Sequence, residues 1–309
     1  MKFTIFHDSR IGRRGMNQDR LAWAQTDEAI FMVVADGMGG HRHGEVAAQI
    51  AVQQLIAAFR GAANPTLDSP AEFLARSIAE AHGAINDYTS LRAIPLADAP
   101  RTTCVACVIQ DGRATWAHVG DSRLYLVRGG RTVVHTIDHS HVQMLVDSGQ
   151  ITADQAKHHP QRNLVTTCLG GDVPPRIDVS GAALLLSGDI LALCSDGVWA
   201  PLGDALPAGL AAPLERSMPR LLDTAEANAG AGCDNLSLIA LRWESAAGKA
   251  QGDESERPFR PNQTLIEDFG AKGVVPSPLS DDEVELAIAA IRNKLRTQTP
   301  TETTDGANE

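Results

Sequence analysis

The sequence predicts an α+β fold in which antiparallel strands form stacked sheets and amphipathic helices pack on the outside. Short strand-like segments follow one another closely between residues 103 and 135, and the sequences Asp111-Gly112 and Arg128-Gly129-Gly130 between them are typical of hairpin turns. Two longer segments carry apolar residues at helical spacing. Strands with one apolar face need further layers that bury this face, and a facing sheet and helices can provide them.

The first half of the chain is predicted to contain one buried strand and two long helices. Residues 30–35 are an uninterrupted apolar run that predicts the strand. A helix is predicted over residues 45–60, where apolar side chains recur at near-helical spacing among alanines. A second helix begins at the capping box of Ser69 and Glu72 and continues to about Leu91.

The second half is predicted to alternate short strands with short helices. Residues 184–186 and 190–194 are predicted to pair as a hairpin, because Ser187-Gly188-Asp189 between them is a turn sequence. The other predicted elements are strands over 103–109, 115–119, 124–127, 132–135 and 236–241, and helices over 142–148, 152–157 and 214–229.

One compact domain is predicted over residues 1–243. Residues 244–280 are rich in glycine, proline, serine and charge, which indicates a flexible linker. Residues 281–309 are predicted to form an amphipathic helix to about Arg296 and then a disordered tail. This C-terminal helix is expected to dock either on its own domain or on a partner protein.

Composition and charge exclude several classes of function. The formal net charge of −11, without a basic stripe, excludes nucleic acid as a partner. No apolar run approaches the roughly 18–20 residues that span a bilayer, and the first residues are too polar for a secretory signal, so we expect no membrane insertion and a cytoplasmic location. The five cysteines fit a reducing compartment. Cys104 and Cys107 lie three apart in a predicted strand and are expected to pack in the core on opposite faces, rather than to bind zinc or form a redox pair.

Two Asp-Gly signatures are the strongest indication of chemistry. Asp36-Gly37 and Asp196-Gly197 each follow an apolar run, so each carboxylate would stand at the end of a buried strand. A single Asp-Gly is a common turn, and each aspartate by itself has that plain interpretation. Together with other aspartates in polar turns beside strands, they predict a site for paired Mg²⁺ or Mn²⁺ ions, which prefer oxygen ligands. The candidate ligands are Asp19, Asp36, Asp121, Asp196 and Asp234.

The polar motifs of the chain form an ordered series. They are Arg14-Gly15-Met16-Asn17-Gln18-Asp19, Asp36-Gly37-Met38-Gly39-Gly40-His41, Gly44-Glu45, Thr102-Thr103, Gly120-Asp121-Ser122-Arg123, Asp138-His139-Ser140, Asn163-Leu164-Val165-Thr166, Ser195-Asp196-Gly197 and Asp234-Asn235. This series, over about residues 8–241, resembles that of the bacterial metal-dependent serine/threonine protein phosphatases of the type 2C (PPM) family. The resemblance implies a four-layer αββα sandwich of two antiparallel sheets flanked by helices.

The resemblance also implies a role for most of the acidic residues. Asp36 would bridge two metal ions, and the backbone carbonyl of Gly37 would bind one of them. Asp196 and Asp234 would complete the first metal site. Asp19 would act at the pair of ions or just behind it.

Further implied roles concern a third ion and the substrate. Asp121 resembles the ligand of a third, weaker metal in bacterial members, shared with Asp196, so the expected cofactors are two Mn²⁺ or Mg²⁺ ions with a third beside them. Arg14 would hold the substrate phosphate, because a guanidinium matches two phosphate oxygens. The alternative is a solvated surface arginine, an interpretation that fits Arg13 better. Water between the ions would ionise near neutral pH and attack phosphorus.

Two positions depart from the eukaryotic pattern of this family. Gln18 stands where eukaryotic members carry glutamate, which removes one negative charge and implies that the second metal depends more on water and Gly37. Met38 stands where those members place a histidine proposed as the acid for the leaving alkoxide. His41 or a metal-bound water would then donate that proton, and a plain loop histidine is the alternative for His41. Residues 138–167 correspond to the family's flap beside the active site, and its paired histidines are expected not to bind metal.

The function implied by the resemblance is hydrolysis of phosphoserine and phosphothreonine in phosphoproteins, in opposition to a bacterial serine/threonine kinase. One alternative is a non-catalytic, phosphatase-like binding or regulatory module, although such a copy should have lost a metal aspartate and this chain retains Asp36, Asp196 and Asp234. Another is a switch phosphatase that acts on a sigma-factor regulator. Such proteins usually carry sensory domains, and none is recognised in this sequence.

Overall fold

Twelve strands and seven helices make up the part of the chain that the computed structural model describes, which is residues 1–38, 43–210 and 213–245 with the backbone of 264–266. The strands are β1 (Lys2–Arg10), β2 (Asp19–Gln25), β3 (Ala29–Asp36), β4 (Cys104–Gln110), β5 (Arg113–Val119), β6 (Arg123–Arg128), β7 (Arg131–His135), β8 (Asp178–Val179), β9 (Ala183–Leu184), β10 (Ile190–Cys194), β11 (Leu236–Ser245) and β12 (Thr264–Ile266). The helices are α1 (Gly44–Ala62), α2 (Pro70–Leu91), α3 (His141–Asp147), α4 (Ala153–Lys157), α5 (Asp196–Leu202), α6 (Leu206–Gly209) and α7 (Leu214–Ala229).

The strands form two antiparallel sheets. The five-stranded sheet has the order β1-β11-β10-β6-β7. The seven-stranded sheet has the order β12-β2-β3-β4-β5-β8, and β9 also pairs with β5. The chain passes from the larger sheet to the smaller one in the turn between β5 and β6.

Alternating side chains in the strands divide the core into layers. In β3, Phe31 and Val33 pack with α1 and α2, whereas Ile30 and Met32 face the interior between the sheets. This is the two-residue period of a strand that is buried on both faces. A third cluster buries the other face of the five-stranded sheet under α5, α6 and α7. The result is the expected αββα sandwich.

Cys104 and Cys107 obey the same alternation. Cys104 belongs to the cluster under α1 and α2, and Cys107 belongs to the cluster between the sheets. Both side chains are fully buried, and burial raises the pKa of the Cys104 thiol to about 12 and that of Cys107 further. The expectation that they pack on opposite faces is confirmed, and neither is poised for redox chemistry.

The predicted hairpin of residues 184–186 with 190–194 is wrong. β9 pairs with β5 in the larger sheet, whereas β10 lies between β11 and β6 in the smaller one. The turn sequence therefore carries the chain from one sheet to the other. Asp189 stabilises this connection between the sheets. Its buried carboxylate accepts two hydrogen bonds of 2.7 Å from Arg128 and one of 2.8 Å from the N–H of Leu186.

One strand lies inside the range predicted as a linker. The backbone of Thr264–Ile266 pairs with residues 22–24 of β2, so these three residues add an edge to the larger sheet. The rest of that range beyond Ser245, the predicted C-terminal helix and the tail lie outside the described residues, so the domain boundaries stay predictions. No helix in the described part of the chain has the length and apolar character that crossing a membrane requires.

Candidate active site

Two of the candidate aspartates stand side by side on neighbouring strands. Asp36 is the last residue of β3, Asp19 is the first residue of β2, and the antiparallel register places them directly opposite each other. Side chains of opposite residues point to the same face of a sheet. The register therefore brings two carboxylates together although no short sequence motif joins them.

The five-stranded sheet and the turn between the sheets supply the other three aspartates. Asp196 begins α5, with only Ser195 between it and β10, and Asp234 lies two residues before β11. Because β10 and β11 are antiparallel, the end of one lies beside the start of the other. Asp121 lies in the turn that joins β5 to β6. Both sheets thus contribute to one acidic cluster.

Burial and the charges of neighbouring aspartates shift the pKa values of the cluster. Burial, and then the charges of the neighbouring aspartates, raise the pKa of Asp36 well above its usual range. Burial and the charge of Asp234 raise the pKa of Asp196 to about 6, and a hydrogen bond with Asp36 acts in the opposite direction. Burial raises the pKa of Asp19 to about 7 and that of Asp121 well above normal. Such a cluster needs protons or cations to offset its charge.

The donor atoms of the cluster fit divalent cations. Oδ1 of Asp19 is buried and has no hydrogen-bond partner among the described residues, whereas its Oδ2 accepts a bond of 2.7 Å from Ser195. A buried carboxylate oxygen without a partner is costly unless a ligand satisfies it. Within the described residues, no three of the five carboxylates place ligand atoms within 4.8 Å of one another. Ions such as Mg²⁺ keep several waters and so do not need every carboxylate as a direct ligand.

Close backbone packing explains the glycine of each Asp-Gly signature. A Cβ atom on Gly37 would overlap the backbone carbonyl of Gly44, and one on Gly197 would overlap the backbone carbonyl of Asn235. Neither glycine has a positive φ. Both signatures therefore need glycine for space and not for an unusual backbone conformation.

Arg14 lies at the edge of the cluster. Its Nη2 is 2.6 Å from Oδ2 of Asp234. This hydrogen bond, and then the charges of Asp234, Asp196 and Asp36, raise the pKa of Arg14. The side chain is 56% exposed, so part of the guanidinium faces solvent. The structure thus brings Arg14 to the aspartates. His41 lies outside the described residues, and its role stays a prediction.

Two residues that hold the cluster were not singled out by sequence reasoning. Ser195 accepts a bond of 3.0 Å from the N–H of Ser237 and donates to Asp19. The Nδ2 group of Asn235 donates to the carbonyls of Ile11 and Met16, at 2.9 and 3.0 Å, which fixes the loop that carries Arg14. Ser195 and Asn235 both stand inside the motif series, each directly beside a candidate ligand. This position in the sequence could have indicated that they support the site.

The base of the flap is tied to Asp121. Arg123 forms two hydrogen bonds with Asp138, of 2.7 and 2.8 Å, and its guanidinium stacks 3.5 Å above the ring of Trp199. The indole N–H of Trp199 donates to the backbone carbonyl of Asp121 at 2.9 Å. The two short helices predicted for the flap are present as α3 and α4, and Thr152 and Gln155 form a capping box at the start of α4.

A second group of possible metal ligands is better explained by hydrogen bonds. His118, His139 and Asp178 each place one ligand atom within 4.8 Å of the others. However, Nδ1 of His139 accepts the N–H of Gly120 at 3.2 Å, so a neutral ring carries its proton on Nε2, which lies 3.2 Å from Asp178. A metal at this position would have to displace that proton. The expectation that the paired histidines of the flap do not bind metal stays a prediction.

Comparisons with known proteins agree with this geometry. The family model described as Protein phosphatase 2C matches residues 8–231. A putative protein phosphatase 2C-type of Streptococcus pyogenes serotype M6 is 32% identical over 237 residues, which cover 75% of this chain and 94% of that protein. The serine/threonine phosphatase of S. agalactiae has a TM-score of 0.69 and 30% identity over 79% of this chain and 100% of that one. The catalytic domain of the phosphatase PstP, solved in complex with two manganese ions, has a TM-score of 0.63 and 28% identity over 79% of this chain and 100% of that one.

Proposed function

The chain belongs to the protein phosphatase 2C family, and we propose that its clustered aspartates hold the divalent cations with which it hydrolyses phosphoserine and phosphothreonine in proteins. The observation that carries this proposal is the meeting of carboxylates from both sheets beside one half-exposed arginine. Nothing in the geometry favours a non-catalytic module, because all five aspartates are present and the described cluster is intact.

Each aspartate has a proposed place around the cations, which are Mn²⁺ or Mg²⁺. Asp36 and the Gly37 carbonyl would hold the ions at the end of the seven-stranded sheet. Asp196 and Asp234 would hold them on the side of the five-stranded sheet. The unpartnered Oδ1 of Asp19 supports a place for this residue at the same pair of ions. Asp121, whose pKa is raised by burial and then by the charge of Asp196, would hold a third, weaker ion with Asp196.

The chemistry divides between the cations and the chain. When bound, paired divalent cations supply a water that ionises near neutral pH, and they offset negative charge on phosphate. Arg14 binds two phosphate oxygens through the part of its guanidinium that faces solvent. Asp234 keeps this guanidinium in place, since it accepts a bond from the other side. His41 is the proposed proton donor to the leaving serine or threonine oxygen.

The substrates are phosphoproteins, and we propose that a serine/threonine kinase adds the phosphate that this enzyme removes. The proposed location is the cytoplasm. All five cysteines are free thiols in the structure, which supports a reducing compartment.

The decisive experiment is hydrolysis of a phosphothreonine peptide by the full chain with Mn²⁺ and with excess chelator. We expect phosphate release only with Mn²⁺, and loss of most of this activity in Asp196→Ala. Asp204→Ala removes an exposed aspartate just beyond α5 and is the matched control, which should stay within twofold of wild type, roughly the scatter of surface substitutions. Equal turnover with chelator, or full activity of Asp196→Ala, would reject the mechanism. A wild type that is inactive with Mn²⁺ would favour the non-catalytic module.

A further inference from the structure

Glu45 makes one side-chain hydrogen bond within the described residues, and its partner is Gln18. Nε2 of Gln18 lies 3.2 Å from Oε2 of Glu45. Glu45 is the second residue of α1 and is only 8% exposed. A carboxylate is rarely buried to this extent without a reason, because losing its hydration costs free energy. The contact therefore needs an explanation beyond the start of a helix.

The chemistry of the contact fixes the orientation of the Gln18 amide. An ionised carboxylate only accepts hydrogen bonds, so the NH₂ group of the amide must face Glu45. The amide oxygen is then turned away from Glu45, and it accepts no hydrogen bond from the residues that the structure describes. An amide oxygen is a hard donor of the kind that Mg²⁺ and Mn²⁺, or the waters around them, prefer.

The Gln18–Glu45 pair lies directly beside the Asp36-Gly37 end of the cluster. The carbonyl of Gln18 accepts the N–H of Gly37 at 3.2 Å, and the N–H of Gln18 donates to Oδ1 of Asn235 at 2.9 Å. Gly37 and the Gln18 amide also pack against the same residue, Gly44. A Cβ atom added to Gly44 would lie within 3 Å of both of them. Gln18 thus sits between the two halves of the site.

The geometry points to Glu45 as a positioning residue that raises the affinity of the site for divalent cations through Gln18. It orients the amide oxygen, and its negative charge adds to the field at the Asp36-Gly37 end. This inference rests on the proposed function, because it requires that cations bind at the aspartates. The competing explanation is that Glu45 only stabilises the N-terminus of α1, as acidic residues in a first helical turn do.

Calorimetric titration of Mn²⁺ into the metal-free full chain separates the two explanations. We expect Glu45→Gln to weaken the lower-affinity Mn²⁺ site by about tenfold, the size of effect seen when groups behind a metal ligand are removed. The double variant Gln18→Glu/Glu45→Gln moves the charge across the same hydrogen bond and should recover affinity to within about twofold of wild type. Glu72→Gln, which removes an exposed first-turn glutamate of α2, is the matched control and should leave Mn²⁺ binding unchanged.

Activity provides a second readout for the same variants. The Mn²⁺ concentration for half-maximal activity should rise in Glu45→Gln by the same factor, with kcat at saturating Mn²⁺ close to wild type. A role in helix stability alone would lower the melting temperature in both Glu45→Gln and the double variant and would leave Mn²⁺ affinity unchanged.

The outcomes distinguish this inference from the proposed function. If wild type does not bind Mn²⁺, the proposed function fails. If wild type binds and Glu45→Gln binds equally well, or if the double variant fails to recover, the role of Glu45 is rejected and the proposed function stands. Should Glu45→Gln not fold, Gln18→Ala leaves the helix sequence intact and must show the same weakening for the inference to survive.

Discussion

Ser195 donates a hydrogen bond of 2.7 Å to Oδ2 of Asp19, although 176 positions separate these residues in the sequence. Ser195 follows a strand of the five-stranded sheet, and Asp19 begins a strand of the seven-stranded sheet. The serine oxygen also accepts the N–H of Ser237, so its position is fixed by its own sheet. One hydroxyl group therefore holds the two halves of the cluster in register.

Replacing Ser195 with alanine should weaken cation binding more than it weakens the fold. The variant leaves Oδ2 of Asp19 without its donor, so the carboxylate loses a fixed orientation, and we expect Mn²⁺ affinity to fall by about tenfold. Calorimetry measures the affinity and circular dichroism the melting temperature. Ser77→Ala, a buried serine in α2, is the control and should bind Mn²⁺ like wild type. Unchanged affinity in Ser195→Ala would show that this bond does not position Asp19.

Asn235→Ala should raise KM for a phosphopeptide more than it lowers kcat. The amide holds the loop of Arg14 by two hydrogen bonds to backbone carbonyls, each worth about 1 kcal/mol. Their loss frees Arg14 and should raise KM by about tenfold, since a tenfold change is about 1.4 kcal/mol. Steady-state kinetics at saturating Mn²⁺ give both constants. Asn228→Ala removes an exposed amide on α7 and serves as the control. A fall in kcat at constant KM would contradict a substrate-positioning role.

Two glycine-to-alanine substitutions should have opposite effects on stability. Alanine at Gly197 would force its Cβ into the carbonyl of Asn235, so it should destabilise the chain by about 1–3 kcal/mol and reduce activity. Gly83 is exposed in the middle of α2 and has open space around its Cβ position, so alanine there should stabilise by about 0.5–1 kcal/mol. Urea denaturation measures both. If Gly197→Ala left the free energy of unfolding unchanged, the β10–β11 end of the site would be able to relax. That result would contradict the tight packing described above.

Stability of the metal-free chain should fall as pH rises from about 4 to about 7. Burial and mutual repulsion raise the pKa of Asp19 and Asp196 in the folded chain, whereas an unfolded aspartate titrates near 3.9. Between these pH values the folded state binds more protons, so each unit of pH removes stability. Burial lowers the pKa of His118, which acts in the opposite direction.

Thermal unfolding with excess chelator isolates the contribution of the aspartates by comparing wild type with Asp19→Asn. The fall in melting temperature between about pH 4 and 7 should be smaller in Asp19→Asn than in wild type. When the chelator is replaced by Mn²⁺, the melting temperature of wild type should rise most at the upper end of this pH range. A variant that follows the wild-type curve at every pH would refute the assignment of raised pKa values to Asp19.

Long periodic segments were predictable because local pattern and burial agree in them. The helices α1 and α2 and the strands β4 to β7 appear where apolar spacing and hairpin turns place them. The strands β1 and β2 were not predicted. β2 is buried on both faces and contains Asp19, Arg20 and Gln25, so it shows neither alternation nor a clean apolar run. Arg20 has a long-range partner that no local pattern reveals, because its Nε donates a hydrogen bond of 2.6 Å to Gln49.

The partners of β9 and β10 were also beyond local reasoning. A turn sequence indicates that the chain changes direction, but not which sheet receives the next strand. That choice depends on the buried positions available between β11 and β6, which are set by residues far away in the sequence. The candidate site was more predictable, because each Asp-Gly signature combines a buried strand with a carboxylate. The contacts of Ser195, Asn235 and Glu45 could not be inferred, since they depend on how the two sheets meet.

The position of the aspartates at the junction of the sheets has a consequence for the newly made protein. During translation Asp19 and Asp36 leave the ribosome first, and Asp234 follows only with the final long strand, β11. A nascent chain that lacks β11 cannot yet place Asp234 beside Asp19 and Asp36. On the proposed mechanism, hydrolytic activity is therefore expected to arise only when the sandwich is completed, and a chain truncated before Asp234 is expected to be inactive.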